Sequence, residues 1–205
     1  DATRADLLED AAFAAKDLSG DAQRATSYFE ALLPLRRTHR LQSALERLYE
    51  RQGKHRELIV LLTPDLGQLS GDAAHRLRAR LADFWLDGVD DPTSALELAE
   101  PLVSPDAAKE ALDLMERILR AASEPSRREE ERATSRRAAA LLRERYEASG
   151  RHADVARVLA IELEASDDPG ERAERLRAIA RVRRHDLGDD AGAFDALGDL
   201  LVLSP

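Results

Sequence analysis

The stretch Leu45-Glu46-Arg47-Leu48-Tyr49-Glu50-Arg51-Gln52-Gly53-Lys54-His55 returns about a hundred residues later as Tyr146-Glu147-Ala148-Ser149-Gly150-Arg151-His152. Both copies run Tyr-Glu, two variable residues, Gly, a cation, His, one variable residue, an acid (Glu57 or Asp154) and a branched apolar residue (Leu58 or Val155). A glycine that follows a helical stripe supplies the left-handed geometry needed just past a helix end, so the repeated unit is a helix end running into a tight turn. A chain that repeats such a joint is constrained to stack helical hairpins, each buried against its neighbours.

The repetition extends beyond the joint. Arg76-Leu77-Arg78-Ala79 matches Arg175-Leu176-Arg177-Ala178 at an offset of 99, and Asp87, Asp90 and Asp91 follow it onto Asp186, Asp189 and Asp190. Ala95 aligns with Ala193 at 98, which places small insertions between the copies. A shorter offset of 70 relates Ala25 to Ala95, Leu45 to Met115 and Leu48 to Ile118.

Helical punctuation fills the rest of the chain and strand signals are missing. Residues 3 to 18 put Leu7, Leu8, Ala11, Ala12, Ala14, Ala15 and Leu18 on one face, with Thr3 as cap and Gly20 as terminator. Asp21 caps a second helix, with Ala25, Phe29, Leu32 and Leu33 in its stripe and Pro34 at its end. Thr38 caps a third, a short partner runs from His55 to Leu62, and Thr63-Pro64 with Gly67 to Gly71 form a loop. A fifth helix buries Ala74, Leu77, Leu81 and Phe84, with Trp85 at the margin. Asp91-Pro92 and Ser104-Pro105 start the next two, over 92–103 and 106–121. A charged helix follows Ser123-Glu124-Pro125, and three more cover 152–165, 170–186 and 190–203.

These residues resemble the tetratricopeptide repeat family, in particular the degenerate Arg- and Ala-rich arrays of large bacterial proteins. The resemblance rests on the Tyr-x3-Gly turns at Tyr49/Gly53 and Tyr146/Gly150, on the small-x3-large pairs Ala25/Phe29 and Ala193/Leu197, and on Pro205, twelve residues after Ala193. It departs from the family at Leu58 and Val155, which replace a small residue. The resemblance implies an all-α, right-handed superhelix of about eleven antiparallel helices spanning 1–205 as a single domain. It further implies a groove that holds peptides or proteins, and marks the chain as a fragment of a longer array.

Charged residues make up 35% of the chain and aromatics 4%, which suits thin cores of Leu and Ala with much surface. The net charge of -9 opposes a general nucleic-acid binder, which carries a basic stripe. There are no cysteines, so disulfides and thiolate metal sites are excluded, while the compartment stays open. Unbroken apolar runs reach only five residues, as in Leu58 to Leu62, far short of the roughly 18 that a membrane helix requires.

Among His39, His55, His75, His152 and His185 no pair stands at i,i+4, the spacing that makes a helical metal site, and no metal or cofactor is expected. There is no nucleophile elbow or Walker-type loop, and no catalytic residue is assigned. Tyr49 and Tyr146 stand beside leucine stripes and are expected to pack between hairpins rather than to hold a ligand.

The segment 170–186 carries Arg172, Arg175, Arg177, Arg181, Arg183 and Arg184 against Glu171, Glu174 and Asp186. The offset of 99 sets Arg183 against Phe84, a charge in a core slot that must snorkel, pair or face a cleft. The candidate partner-binding residues are therefore Trp85, Arg177, Arg181, Arg183 and Arg184, for a protein or peptide with an acidic segment. The expected function is a non-catalytic interaction scaffold; the alternative is a spacer or regulatory segment of a larger enzyme or signalling protein.

Overall fold

Gly53 and Gly150 have φ of +64° and +66°, the left-handed geometry that their repeated motif anticipates. In the first copy the Lys54 amide returns to the Tyr49 carbonyl at 2.9 Å, and in the second the Arg151 amide returns to the Tyr146 carbonyl at 2.8 Å. This closure satisfies carbonyls that the helix end would otherwise orphan. The cation after each glycine then folds back over the tyrosine: Lys54 Nζ lies 5.6 Å and the Arg151 guanidinium 4.5 Å from the ring centroids. The motif is a hairpin joint whose glycine, cation and tyrosine form one unit.

The computed structural model describes residues 2–17, 20–124 and 126–203. Leu18, Pro125 and Pro205, which figure in the expectations above, lie outside these described residues. Among them are eleven α-helices and no strand. The chain divides into two compact units, residues 1–70 and 71–205, at a point where the sequence suggests no boundary.

In the first unit, α1 (Ala2–Asp17) pairs with α2 (Ala22–Leu32), α2 with α3 (His39–Gln52), and α3 with α4 (His55–Leu62). Asp21 and Thr38 cap α2 and α3 as expected, accepting from the amides of Arg24 and Leu41. Ala5, Ala12, Ala25, Phe29, Leu45, Leu48 and Leu58 fill the core. Three expectations fail here. Thr3 lies inside α1 rather than capping it. Leu7 is 66% exposed, because alanines 5, 12 and 15 make the contact face of α1. Thr63–Gln68 is a 3-10 helix rather than an open loop, with Pro64 at a start position that tolerates its missing amide.

The second unit contains α5 (Gly71–Asp83), α6 (Pro92–Ala99), α7 (Lys109–Ala122), α8 (Glu129–Ala148), α9 (His152–Ala165), α10 (Pro169–Arg181) and α11 (Asp190–Leu203). Consecutive helices pack on each other, and α6 also packs on α8. Met115, Ile118, Leu119, Leu142, Tyr146 and Val155 anchor one continuous core. Ser104-Pro105 does not start α7. Instead Ser104 O accepts from Ala107 N at 3.0 Å, a turn with proline at its second position, and the helix begins four residues later than that signal. All six residues related by the offset of 70 are fully buried.

Both α5 and α10 end in a widened π turn, Phe84–Gly88 and Val182–Asp186. Val89 N reaches Phe84 O at 3.1 Å, and Leu187 N reaches Val182 O at 3.1 Å. Asp91 N then bonds Trp85 O at 2.9 Å and Asp189 N bonds Arg183 O at 2.8 Å, and each aspartate caps the next helix. Asp90 and Gly188 hold the intervening positive φ. Every one of these equivalences has an offset of 98, which corrects the 99 expected from the sequence. Phe84 therefore matches Val182, and Trp85 matches Arg183.

Candidate functional site

The basic helix α10 begins with a cap, Asp168 accepting from Glu171 N at 2.8 Å behind Pro169 at the first position. Ala173, Leu176, Ile179 and Ala180 hold it on the core at three- and four-residue steps. Its arginines then divide into two sets. Arg172 donates to Leu163 O at 2.8 Å and Ser166 O at 3.0 Å, tying off the end of α9. Arg175 pairs with Glu162 at 3.4 Å. Arg183 is half-buried and donates to Gly192 O at 3.2 Å. A side chain on Gly192 would run into Arg183 and Asp189, so glycine is what admits this bond.

Arg177, Arg181 and Arg184 form the second set. They are exposed, spaced four and three residues apart, and have no ion-pair partner among the described residues. The corrected register gives Arg184 a sharper meaning than Arg183. Its counterpart is Leu86, which is buried, so the leucine-to-arginine exchange falls at 184. Trp85 is not brought to this group. It is half-buried against the core at the end of α5, and α5 packs on α6 and α7 while α10 packs on α9 and α11.

The tyrosine environments support packing. Tyr146 is fully buried and its hydroxyl donates to Glu116 Oε1 at 2.5 Å; Tyr49 is buried and donates to Glu30 Oε1 at 3.0 Å. Burial, and then the neighbouring glutamate, holds both phenols well above their usual range. Arg157 also grips Glu116, so the buried carboxylate is satisfied from two helices.

A feature without local sequence signal is Glu162, whose side chain is 8% exposed between Arg143 of α8 at 3.5 Å and Arg175 of α10 at 3.4 Å. It lines a depression of about 230 Å³ with Ser123, Ser135 and Glu171. Burial pushes the Glu162 carboxyl above the usual carboxylate range, against the pull of Arg143 and Arg175 and with help from Glu171. A folded-state pKa above the unfolded one favours folding at acid pH, and that contribution is lost as pH rises through the folded value. Glu162→Gln is therefore expected to raise the denaturation midpoint at pH 7, an advantage that disappears below about pH 4, where the unfolded glutamate is also protonated. Denaturant titrations at the two pH values measure this; a lower midpoint at pH 7 would contradict it.

No protein-family model matches the chain, and no curated protein matches it. Among the described residues no three His, Asp or Glu side chains are grouped to hold a metal ion, and no helix is long and apolar enough to cross a membrane.

Proposed function

We propose that the chain is a non-catalytic protein-binding scaffold of the tetratricopeptide-like, right-handed superhelical kind, which holds a peptide or protein carrying an acidic segment. The observation that carries this reading is the split at α10 and the turn after it: Arg172, Arg175 and Arg183 are committed to the fold, whereas Arg177, Arg181 and Arg184 stand exposed with no ion-pair partner among the described residues. Guanidinium groups left free on one helix face of an acidic protein suit fork-like recognition of carboxylates. Glu162 lies between arginines of two neighbouring helices, and burial raises its titration against the pull of both.

A variant with Arg177→Glu, Arg181→Glu and Arg184→Glu, and with Arg183 kept, is expected to retain its far-ultraviolet circular dichroism. It is expected to lose the proteins that the wild-type chain captures from a lysate of its source cell. Capture of the same proteins in the same amounts would overturn the assignment of these arginines.

A further inference from the structure

The depression beside Glu162 is built in the interior of the second unit, from the ends of α7 and α9, the first turns of α8 and the start of α10. Six carboxylates line it, those of Glu124, Glu162, Glu164, Asp167, Asp168 and Glu171, against the three guanidiniums of Arg132, Arg136 and Arg175. Part of this charge is satisfied within the rim. Asp168 caps α10, Glu171 Oε2 accepts from Ser166 Oγ at 2.7 Å, and Glu124 pairs with Arg127 at 3.8 Å. Glu164 and Asp167 are exposed and have no ion-pair partner among the described residues.

Glu162 is the one carboxylate of the six that is not exposed. Its side chain is 8% exposed, and its Oε2 accepts no hydrogen bond among the described residues, since Arg143 and Arg175 stand off at 3.5 and 3.4 Å. A buried carboxylate oxygen left without a donor is costly, and a donor brought to it through the depression completes it.

The wall decides the chemistry of that donor. Among the described residues no three acids group to hold a metal ion, so the negative charge is spread along the wall rather than focused on a point. Ala122 and Ala165 add apolar contact. At about 230 Å³ the space lies below the roughly 300 Å³ at which drug-sized pockets begin, and suits one side chain. A methylene chain that ends in an ammonium group has this size, an apolar stem and the complementary charge.

We infer that the depression binds an alkylammonium group, that of a lysine side chain or a short diamine, with its nitrogen donating to Glu162 and its charge also met by Glu164 and Asp167. The site is independent of Arg177, Arg181 and Arg184 and of the scaffold reading above. A bound donor also offsets the burial that holds the Glu162 carboxyl above its usual range.

The whole chain is titrated with Nα-acetyl-lysine amide, with cadaverine and with uncharged Nα,Nε-diacetyl-lysine amide, and its backbone amides are followed by nuclear magnetic resonance. Physiological ionic strength screens general attraction to the acidic surface. The two charged probes are expected to saturate in the millimolar range, with shifts concentrated in residues 122–124 and 162–171, and the uncharged probe is not. Tighter binding of the lysine amide would name a peptide side chain as the ligand, and tighter binding of cadaverine a free amine. Glu162→Gln is expected to weaken both charged probes at least about tenfold. Glu164→Gln combined with Asp167→Asn, at exposed positions that leave the fold intact, is expected to weaken them about threefold. Absence of saturation, equal binding of the uncharged probe, or an affinity unchanged by either variant would overturn the inference.

Discussion

Tyr146→Ala is expected to lower the stability of the second unit by about 3–5 kcal/mol, the range for truncating a large buried ring. Tyr146 is fully buried, belongs to the continuous core with Leu142, Val155 and Ile118, and carries Arg151 over its ring. Its removal also leaves Glu116 with one fewer partner, although Arg157 still holds that carboxylate. Tyr146→Phe separates the two contributions: it keeps the ring and is expected to cost about 1.5–3 kcal/mol, the range for a hydrogen bond to a charged acceptor. Trp85, the single tryptophan, is half-buried against the same core, so its fluorescence follows the transition. A midpoint for Tyr146→Ala within error of wild type would show that the tyrosine faces a ligand rather than the core.

Phe29→Ala is expected to cost the first unit about 3–5 kcal/mol for the same reason. Phe29 is fully buried in α2, and its ring meets Phe13 edge to face at 5.1 Å and 82°, while the Arg40 guanidinium covers Phe13 at 3.9 Å. Such aromatic pairs add roughly 0.5–1.5 kcal/mol beyond their buried area. The alanines that form the contact face of α1 leave little other large apolar surface between α1 and α2. Phe13→Ala, at the half-buried partner, is expected to cost less. Circular dichroism during denaturation reads both; a larger loss for Phe13→Ala than for Phe29→Ala would contradict the assignment of Phe29 as the anchor.

The joints around Gly53 and Gly150 were legible because their physics is local. A glycine past a helix end, a cation that can reach back over a tyrosine, and apolar residues at helical spacing need no knowledge of distant contacts. The helix-start signals Asp21, Thr38 and Asp91 are local in the same way. The register between halves was not. A π turn closes over five residues instead of four, and nothing in Phe84–Gly88 or Val182–Asp186 announces it, so Arg183 was set against Phe84 when its counterpart is Trp85. Arg183, expected to snorkel, pair or face a cleft, donates to Gly192 and braces α11, while Arg184 stands where the first half buries Leu86. Glu162 could not be found from spacing, since Arg143, Glu162 and Arg175 belong to three successive helices and meet only through packing. Leu7 was misplaced because periodicity weights every apolar residue alike, whereas close helix contact selected the small ones.

The central claim is that the exposed arginines at the end of α10 receive a partner, while the tyrosine joints hold the fold. Amide hydrogen exchange on the whole chain, alone and bound to a protein that it captures, tests this most directly. The account predicts slowed exchange in residues 177–187, with α1 to α4 unchanged. Protection confined to α1 to α4, with residues 177–187 exchanging as in the free chain, would contradict it.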